Sequence, residues 1–154
     1  MVILMVNRLI AVLLFITFLV LVTIPFAHGG LFSQHKRIKA TNGEVAIPLK
    51  TINNGQAHYF VYKSKGQEVK FFVVKSRDGV IRAAFDACDV CYLSKKGYSQ
   101  DGEFMICNNC GRRFHSSRIN VVKGGCNPAP LNRVERDGML VLQVKDILSG
   151  ARYF

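Results

Sequence analysis

Beyond residue 42 the chain alternates apolar and polar residues in short runs, a pattern typical of half-buried β-strands. Three such runs follow one another as a meander: AHYFVY (57–62), EVKFFVVK (68–75) and VIRAAF (80–85). They are separated by Ser64-Lys65-Gly66 and by Arg77-Asp78-Gly79, and an Asp-Gly pair between Val- and Phe-rich runs is a hairpin signal. The pattern therefore predicts consecutive strands over residues 57–85.

Further runs on either side of the meander extend the predicted strands. These are GEVAIPL (43–49), residues 118–123 and MLVLQV (139–144), and a short helix is predicted at 145–148. Pro48 lacks a backbone N–H, which suits an edge strand. Short, closely spaced strands predict an all-β fold, a small sandwich or barrel, with the cysteine-rich residues on loops at its end.

The first 30 residues differ in kind, because Leu9 to Ala27 contains no charged residue. A run of this length suits a transmembrane anchor or the apolar part of a signal peptide. We favour an uncleaved anchor at 1–30, a polar stalk at 31–42 and a cysteine-rich β domain at 43–154. The expected location is the cell membrane, with a single span and the domain outside the cytoplasm.

The chain is basic, with 21 Lys and Arg against 10 Asp and Glu, but the positive charges are scattered. Scattered charge suits an anionic membrane surface or an acidic partner, whereas nucleic-acid binding usually shows a basic stripe with a reading motif. We therefore predict no nucleic-acid partner. No nucleophile–His–acid set, phosphate-binding loop or metalloprotease motif occurs, which favours an electron carrier or binding protein over an enzyme.

Four of the five cysteines form two Cys-x-x-Cys pairs, Cys88 with Cys91 and Cys107 with Cys110. This spacing is a recognised pattern for a metal site with four sulfur ligands. Gly111 follows the second pair, and a residue without a β-carbon lets backbone amides turn towards the sulfurs. Cys88, Cys91, Cys107 and Cys110 are the predicted ligands, and Cys126 in the GGCNPAP loop is a further candidate.

Other uses of the thiols stay open on the residues alone. A disulfide-stapled β domain without metal is one alternative, although five cysteines cannot all pair and each Cys-x-x-Cys would close only a small ring. The metal itself is also open, since four thiolates suit zinc, a single iron or a [2Fe–2S] cluster, and copper(I) is a further choice. A redox-inert zinc or copper module, or a metal chaperone, would need no electron partner.

From Cys107 onward, CNNCGRRF followed by a strand and the GCNPAPL loop resembles the second half of a Rieske domain. Each loop of a Rieske centre gives one Cys and one His, whereas cysteines 91 and 110 stand at the histidine places here. The resemblance thus implies a Rieske-like β fold and an all-cysteine cluster of lower reduction potential, because thiolates add negative charge.

Over most of residues 43–150 the sequence also resembles the FtrD-like family of membrane-anchored, predicted iron–sulfur proteins associated with iron transport. The resemblance is carried by GEVAIPL, AHYFVYKSKG, FFVVKSRDGVIRAAFDACDVC, KKGYSQ, CNNCG and GCNPAPL. It implies a metal-binding, electron-transfer accessory in a membrane, with a redox or iron-permease partner there. Our working hypothesis is a [2Fe–2S] protein held by the four paired cysteines, with Arg112 and Arg113 as a basic collar.

Overall fold

The computed structural model describes residues 34–154. The predicted anchor or signal peptide at 1–30 lies outside these residues, as does the beginning of the predicted polar stalk. Within the described part of the chain, no helix is both long and apolar enough to cross a membrane.

Residues 34–154 form ten β-strands, one α-helix and four single-turn 3-10 helices, so the chain is mostly β, as predicted. The strands are β1 (Lys36–Ile38), β2 (Glu44–Pro48), β3 (His58–Ser64), β4 (Gln67–Lys75), β5 (Ile81–Phe85), β6 (Tyr98–Asp101), β7 (Phe104–Cys107), β8 (Arg113–His115), β9 (Val134–Arg136) and β10 (Met139–Gln143). The helix α1 spans Val144–Ser149, and the 3-10 helices span Leu49–Thr51, Tyr92–Ser94, Ser116–Arg118 and Ala151–Tyr153. They build three sheets.

The central sheet has the strand order β1-β3-β4-β5. Its last three strands are the predicted meander, and β3 pairs antiparallel with β4 through a tight turn at Lys65 and Gly66. Both turn residues have positive φ, 46° and 81°, as the hairpin turn that matches strand twist requires. β1 pairs parallel with β3, although it lies inside the predicted polar stalk, where the sequence predicted no strand.

The outer sheet has the order β2-β10-β9. It confirms the strands predicted at 43–49 and 139–144, and it places Pro48 on an edge strand. The predicted helix at 145–148 is confirmed as α1.

The strand predicted at 118–123 is wrong. This segment is the end of a 3-10 helix followed by turns, with Asn120 at φ 66°. Ile119 alone faces a core, while Val121 and Val122 stay exposed, so the apolar residues have no shared face to pair.

The cysteine sheet, β6-β7-β8, was not predicted as strands. Its residues YSQD and RFH are polar and short, so they carry no alternation long enough to detect. β7 (FMIC) is the middle strand, and it delivers Cys107 as its last residue.

Each face of the central sheet covers a separate hydrophobic core. The first core joins it to the outer sheet and α1, and includes Val45, Phe60, Phe71, Leu140 and Ile147. The second core joins it to the cysteine sheet, and consists of Tyr59, Phe72, Val74, Ala84, Cys88, Tyr98, Met105, Cys107 and Ile119. Because side chains alternate across a strand, β4 supplies Phe71 to one core and Phe72 to the other. Two of the predicted ligands, Cys88 and Cys107, lie in the second core.

Candidate metal centre

The structure brings all five cysteines into one region next to the second core. Cys88 and Cys91 lie in the loop after β5, Cys107 ends β7, and Cys110 lies in the turn between β7 and β8. Cys126 comes from the loop before Pro128 and Pro130. All five thiols are free, so the structure contains no disulfide between them.

The sulfur atoms form two groups that share Cys91. Within each group the sulfurs all lie within 4.8 Å of one another; one group is Cys88, Cys91 and Cys126, and the other is Cys91, Cys107 and Cys110. The Sγ atoms of Cys91 and Cys126 are 3.8 Å apart. The five thiols differ in burial, since Cys88 and Cys107 are buried while Cys110 is exposed. Three of the four predicted ligands, Cys91, Cys107 and Cys110, therefore form one group, whereas Cys88 is grouped with Cys91 and the fifth thiol, Cys126.

The first cysteine loop is wound tightly around the sulfur of Cys88. The N–H of Cys91 donates to this sulfur at 3.2 Å, and the N–H of Val90 also points to it. Burial alone would raise the pKa of the Cys88 thiol, but hydrogen bonds from the Tyr98 side chain and these amides outweigh it and lower the pKa. The loop therefore favours a thiolate, which is the form that binds metal.

The two sulfurs of the second cysteine loop differ in their burial and in their pKa. The N–H of Arg112 donates to the exposed sulfur of Cys110 and lowers its pKa to about 7. Burial raises the pKa of the Cys107 thiol to about 11, against the opposing effect of N–H groups from Cys110 and Asn109. Gly111 makes the turn at φ 72°, with its N–H donating to the Cys107 carbonyl at 2.8 Å. The predicted role of Gly111 in turning amides towards sulfur agrees with this geometry.

Tyr98 is the main site residue that the sequence did not reveal. Its ring is buried in the second core, and its hydroxyl donates to the Cys126 carbonyl at 2.6 Å. The same hydroxyl interacts with the Cys88 sulfur, and burial together with this contact raises the pKa of Tyr98 well above its ordinary value. Tyr98 thereby joins the first cysteine loop to the Cys126 loop, a link that depends on β6, which was not predicted.

The Asp86 carboxylate joins two other segments of the chain to the first cysteine loop. One carboxylate oxygen accepts the N–H of Tyr98 at 2.7 Å, and the other lies 2.8 Å from Nε2 of His35. A β-carbon at Gly97 would lie only 2.4 Å from Oδ2 of Asp86, so any larger residue at 97 would push the carboxylate away. The sequence singled out neither Gly97 nor His35, because their contact with Asp86 depends on tertiary structure.

The Cys126 loop is fixed to the end of β5. The N–H of Phe85 donates to the Ala129 carbonyl at 2.8 Å, and the N–H of Ala129 donates to the Ala87 carbonyl at 2.9 Å. Asn127 is buried, and its side-chain N–H donates to the Val122 carbonyl. Burial, together with the nearby Cys110 sulfur, raises the pKa of the Cys126 thiol. Cys126 is therefore positioned next to the other thiols and favours the neutral form more than Cys88 does.

The predicted basic collar is only partly available for a partner. Arg113 pairs with Asp101 at 2.7 Å and covers the Phe104 ring at 4.7 Å. Arg112 and Cys110 are exposed, together with Val90 and Leu93 beside the first pair. The exposed edge of the centre therefore combines the Cys110 sulfur, Arg112, which forms no ion pair among residues 34–154, and two apolar side chains.

The donor set fits a thiolate-ligated metal or cluster. Sulfurs from two tight loops accept hydrogen bonds from backbone N–H groups, which stabilise negative charge on sulfur in a partly buried site. The described residues contribute no carboxylate or imidazole to either sulfur group, which favours zinc, copper(I) or iron–sulfur over magnesium or calcium.

Comparison with known proteins gives one family match. Residues 52–154 match the family described as "Membrane iron-sulfur containing protein FtrD-like". The comparison with curated proteins gave no match. The crystal structure of the quaternary ammonium Rieske monooxygenase CntA, in complex with an inhibitor, is similar at 13% identity and a TM-score of 0.44. The match covers 77% of this chain and 34% of that one, and a likeness of this degree says nothing about the site.

Proposed function

Because the chain belongs to the FtrD-like family of membrane iron–sulfur proteins, we propose that it is an electron-transfer protein whose Cys88, Cys91, Cys107 and Cys110 hold an iron–sulfur cluster. One observation carries the proposal: the sulfurs of both Cys-x-x-Cys pairs lie within 4.8 Å of the Cys91 sulfur. We favour a [2Fe–2S] cluster, which four cysteine ligands suit.

Each loop favours the thiolate form at one of its two cysteines. Backbone N–H groups and the Tyr98 hydroxyl stabilise thiolate at Cys88, and the Arg112 N–H does so at Cys110. Such hydrogen bonds also raise the reduction potential of a cluster, because they offset the negative charge that reduction adds. When bound, a cluster of this class supplies one-electron transfer.

The division of burial suits transfer to an external partner. Cys88 and Cys107 are 1% and 2% exposed, so the second core keeps water from one side of the centre. Cys110 is exposed on the other side, next to Arg112. A transient partner with an acidic surface would meet this edge, since electrostatic complementarity speeds encounter without demanding tight binding.

The membrane part of the proposal rests on the family description and on the apolar run at 1–30. We infer a single anchor, a domain outside the cytoplasm, and a redox or iron-permease partner in the same membrane. The iron-transport association comes from the family resemblance alone.

The decisive experiment purifies the full chain in neutral detergent without oxygen, and measures iron, zinc, copper and acid-labile sulfide with visible and electron paramagnetic resonance spectra. About equal iron and sulfide, with a paramagnetic signal after reduction, is the expected result. Stoichiometric zinc or copper without sulfide would instead establish the redox-inert metal module. A protein without metal that yields few titratable thiols before reduction would establish the disulfide-stapled domain.

A further inference from the structure

A cavity of about 450 Å³ opens beside the thiols, and it extends far beyond them. One end is lined by Cys88, Cys91 and Cys107, and the other reaches Gly66 and Gln67 in the β3–β4 turn. Cys110 and Cys126 do not line it. Its volume falls in the range of small-molecule pockets, roughly 300 to 1,000 Å³.

Lysines gather around this cavity. Four line it, Lys63, Lys70, Lys95 and Lys96, against two side-chain carboxylates, Glu68 and Asp86, besides the cysteines at the metal centre. Both carboxylates already have partners. Glu68 lies 3.4 Å from Lys63 and 3.7 Å from Arg37, and Asp86 is held by His35 and the Tyr98 N–H. Within residues 34–154, the remaining three lysines form no ion pair.

Backbone hydrogen bonds hold these three lysines around the opening. The carbonyl of Lys70 accepts the Asp86 N–H at 3.0 Å, and the N–H of Lys95 donates to the Tyr92 carbonyl at 2.9 Å. The carbonyl of Lys96 accepts a side-chain N–H of Asn108 at 3.0 Å. Because the backbone of each lysine is already fixed, less conformational entropy is lost when a ligand binds several of their ammonium groups.

We propose that this cavity binds a small multivalent oxyanion, a polycarboxylate or a phosphate, between Lys70, Lys95 and Lys96. Several ammonium groups around one concave space match a ligand with several negative oxygens. Its size excludes a nucleic acid duplex or a membrane surface as the occupant. The proposal goes beyond the electron-transfer function, since the lysines act on the anion whichever metal the cysteines hold.

The test titrates the full chain, in neutral detergent and with its metal content measured, by calorimetry. The probes are tricarballylate, a tricarboxylate without the hydroxyl group that helps citrate chelate iron, and inorganic phosphate, with propionate as the monovalent control. The variant Lys95→Gln/Lys96→Gln removes two cavity charges. Its matched control, Lys50→Gln/Lys145→Gln, removes two exposed charges outside the cavity. Lys70→Gln supplies an independent single change.

We expect saturable binding of one tricarballylate or phosphate per chain, and much weaker binding of propionate. The cavity double variant should weaken binding about tenfold or more, equal to at least 1.4 kcal/mol, while the control double variant stays within about twofold. The absence of saturable binding, or equal weakening in both double variants, would overturn the proposal. So would a cavity variant that changes the metal centre's spectrum without affecting the anion, because the lysines would then only offset thiolate charge. Lysine-dependent binding by a chain without iron or sulfide would support the cavity and reject the electron-transfer function.

Discussion

Phe71 and Phe72 are neighbours on β4, are both fully buried, and serve two different cores. Phe71 stacks on Phe60 at a centroid distance of 5.5 Å, inside a core that contains no cysteine. Phe72 meets Tyr59 and Tyr98, at 5.9 and 6.2 Å, inside a core that includes two thiols.

The two faces of the central sheet therefore differ in what completes them. The first core is packed with side chains from the central sheet, the outer sheet, α1 and neighbouring loops. The second core ends in the cysteine loops, where Cys88 favours the thiolate that a metal would neutralise. Stability that depends on metal is thus expected on one face and not on the other.

The largest effect is expected from removing a cysteine of the proposed metal centre, which lies beside the second core. Cys91→Ser removes the sulfur shared by both groups, and it should abolish the visible absorbance of the cluster in the anaerobically purified full chain. Cys110→Ser should do the same, because a four-ligand centre loses one of its ligands. Cys126→Ser is the matched control and should keep the colour. Full colour in both Cys91→Ser and Cys110→Ser would reject the four-ligand proposal, and loss of colour in Cys126→Ser alone would put Cys126 in the ligand set.

The two phenylalanines give the sharpest test of the comparison. Phe71→Ala and Phe72→Ala should each lower the free energy of unfolding by about 3–5 kcal/mol, the usual cost of truncating a buried Phe. Only Phe72→Ala should also speed the loss of metal to a chelator, because its ring packs against Tyr98, which contacts the Cys88 loop. Urea unfolding and chelator-driven metal release measure the two effects. Equal metal release from both variants would show that the faces are not independent.

Substitution of Arg82 tests how much a buried arginine that contacts the second core contributes to stability. Its guanidinium is buried, donates to the Ile119 carbonyl at 3.0 Å and meets both oxygens of Asp78 at 2.8 Å. Arg82→Met should cost roughly 2–4 kcal/mol, since a buried carbonyl loses its donor. Arg136→Met, which removes an exposed partner of Glu44, should cost less than about 1 kcal/mol. Thermal unfolding of both variants checks the difference.

Tyr98→Phe makes a smaller change at the same face. It keeps the buried ring and removes the hydroxyl that contacts the Cys126 carbonyl and the Cys88 sulfur. We expect a loss of about 1 kcal/mol in unfolding free energy, because the Cys126 carbonyl loses its donor, and a more negative reduction potential, because the Cys88 sulfur loses its polar contact with the hydroxyl. An unchanged potential in spectroelectrochemistry would show that Tyr98 acts only through packing.

The smallest effect concerns pH. Hydrogen bonds from Arg82 hold the pKa of Asp78 below its ordinary value of 3.8, so the folded state favours the ionised carboxylate. The stabilisation is therefore complete above about pH 5, and it disappears as the pH falls through the folded-state pKa. Asp78→Asn should be less stable than the wild type near pH 6, and the gap should close towards pH 3. A gap that stays constant over this range would contradict the assignment.

The accuracy of the sequence predictions followed the same division between faces. β3, β4 and β5 are rich in apolar and aromatic residues separated by turn signals, so the sequence pattern identified them. The cysteine sheet has strands of three or four residues with polar ends, and its formation depends on packing against Phe72. The strand predicted at 118–123 failed because Asn120 adopts a left-handed conformation.

The spacing of the cysteines predicted that four thiols would meet, since a Cys-x-x-Cys turn is a local structure. The contacts made by Tyr98 and by Asp86 with Gly97 could not be predicted, because they join segments that only the folded chain brings together. Whether the four cysteines bind the cluster remains a prediction for the experiments above.

Because β4 is buried on both faces in the folded protein, its apolar side chains are exposed to other chains only before folding. Phe71 to Val74 is an uninterrupted apolar run with high β-propensity, the type of segment that aggregates when exposed. Lys70 and Lys75 flank this run and act as gatekeepers, because their charges oppose stacking between copies. Lys70 also lines the cavity for which we propose oxyanion binding, so losing its charge should lower the soluble yield of the protein as well as that proposed affinity.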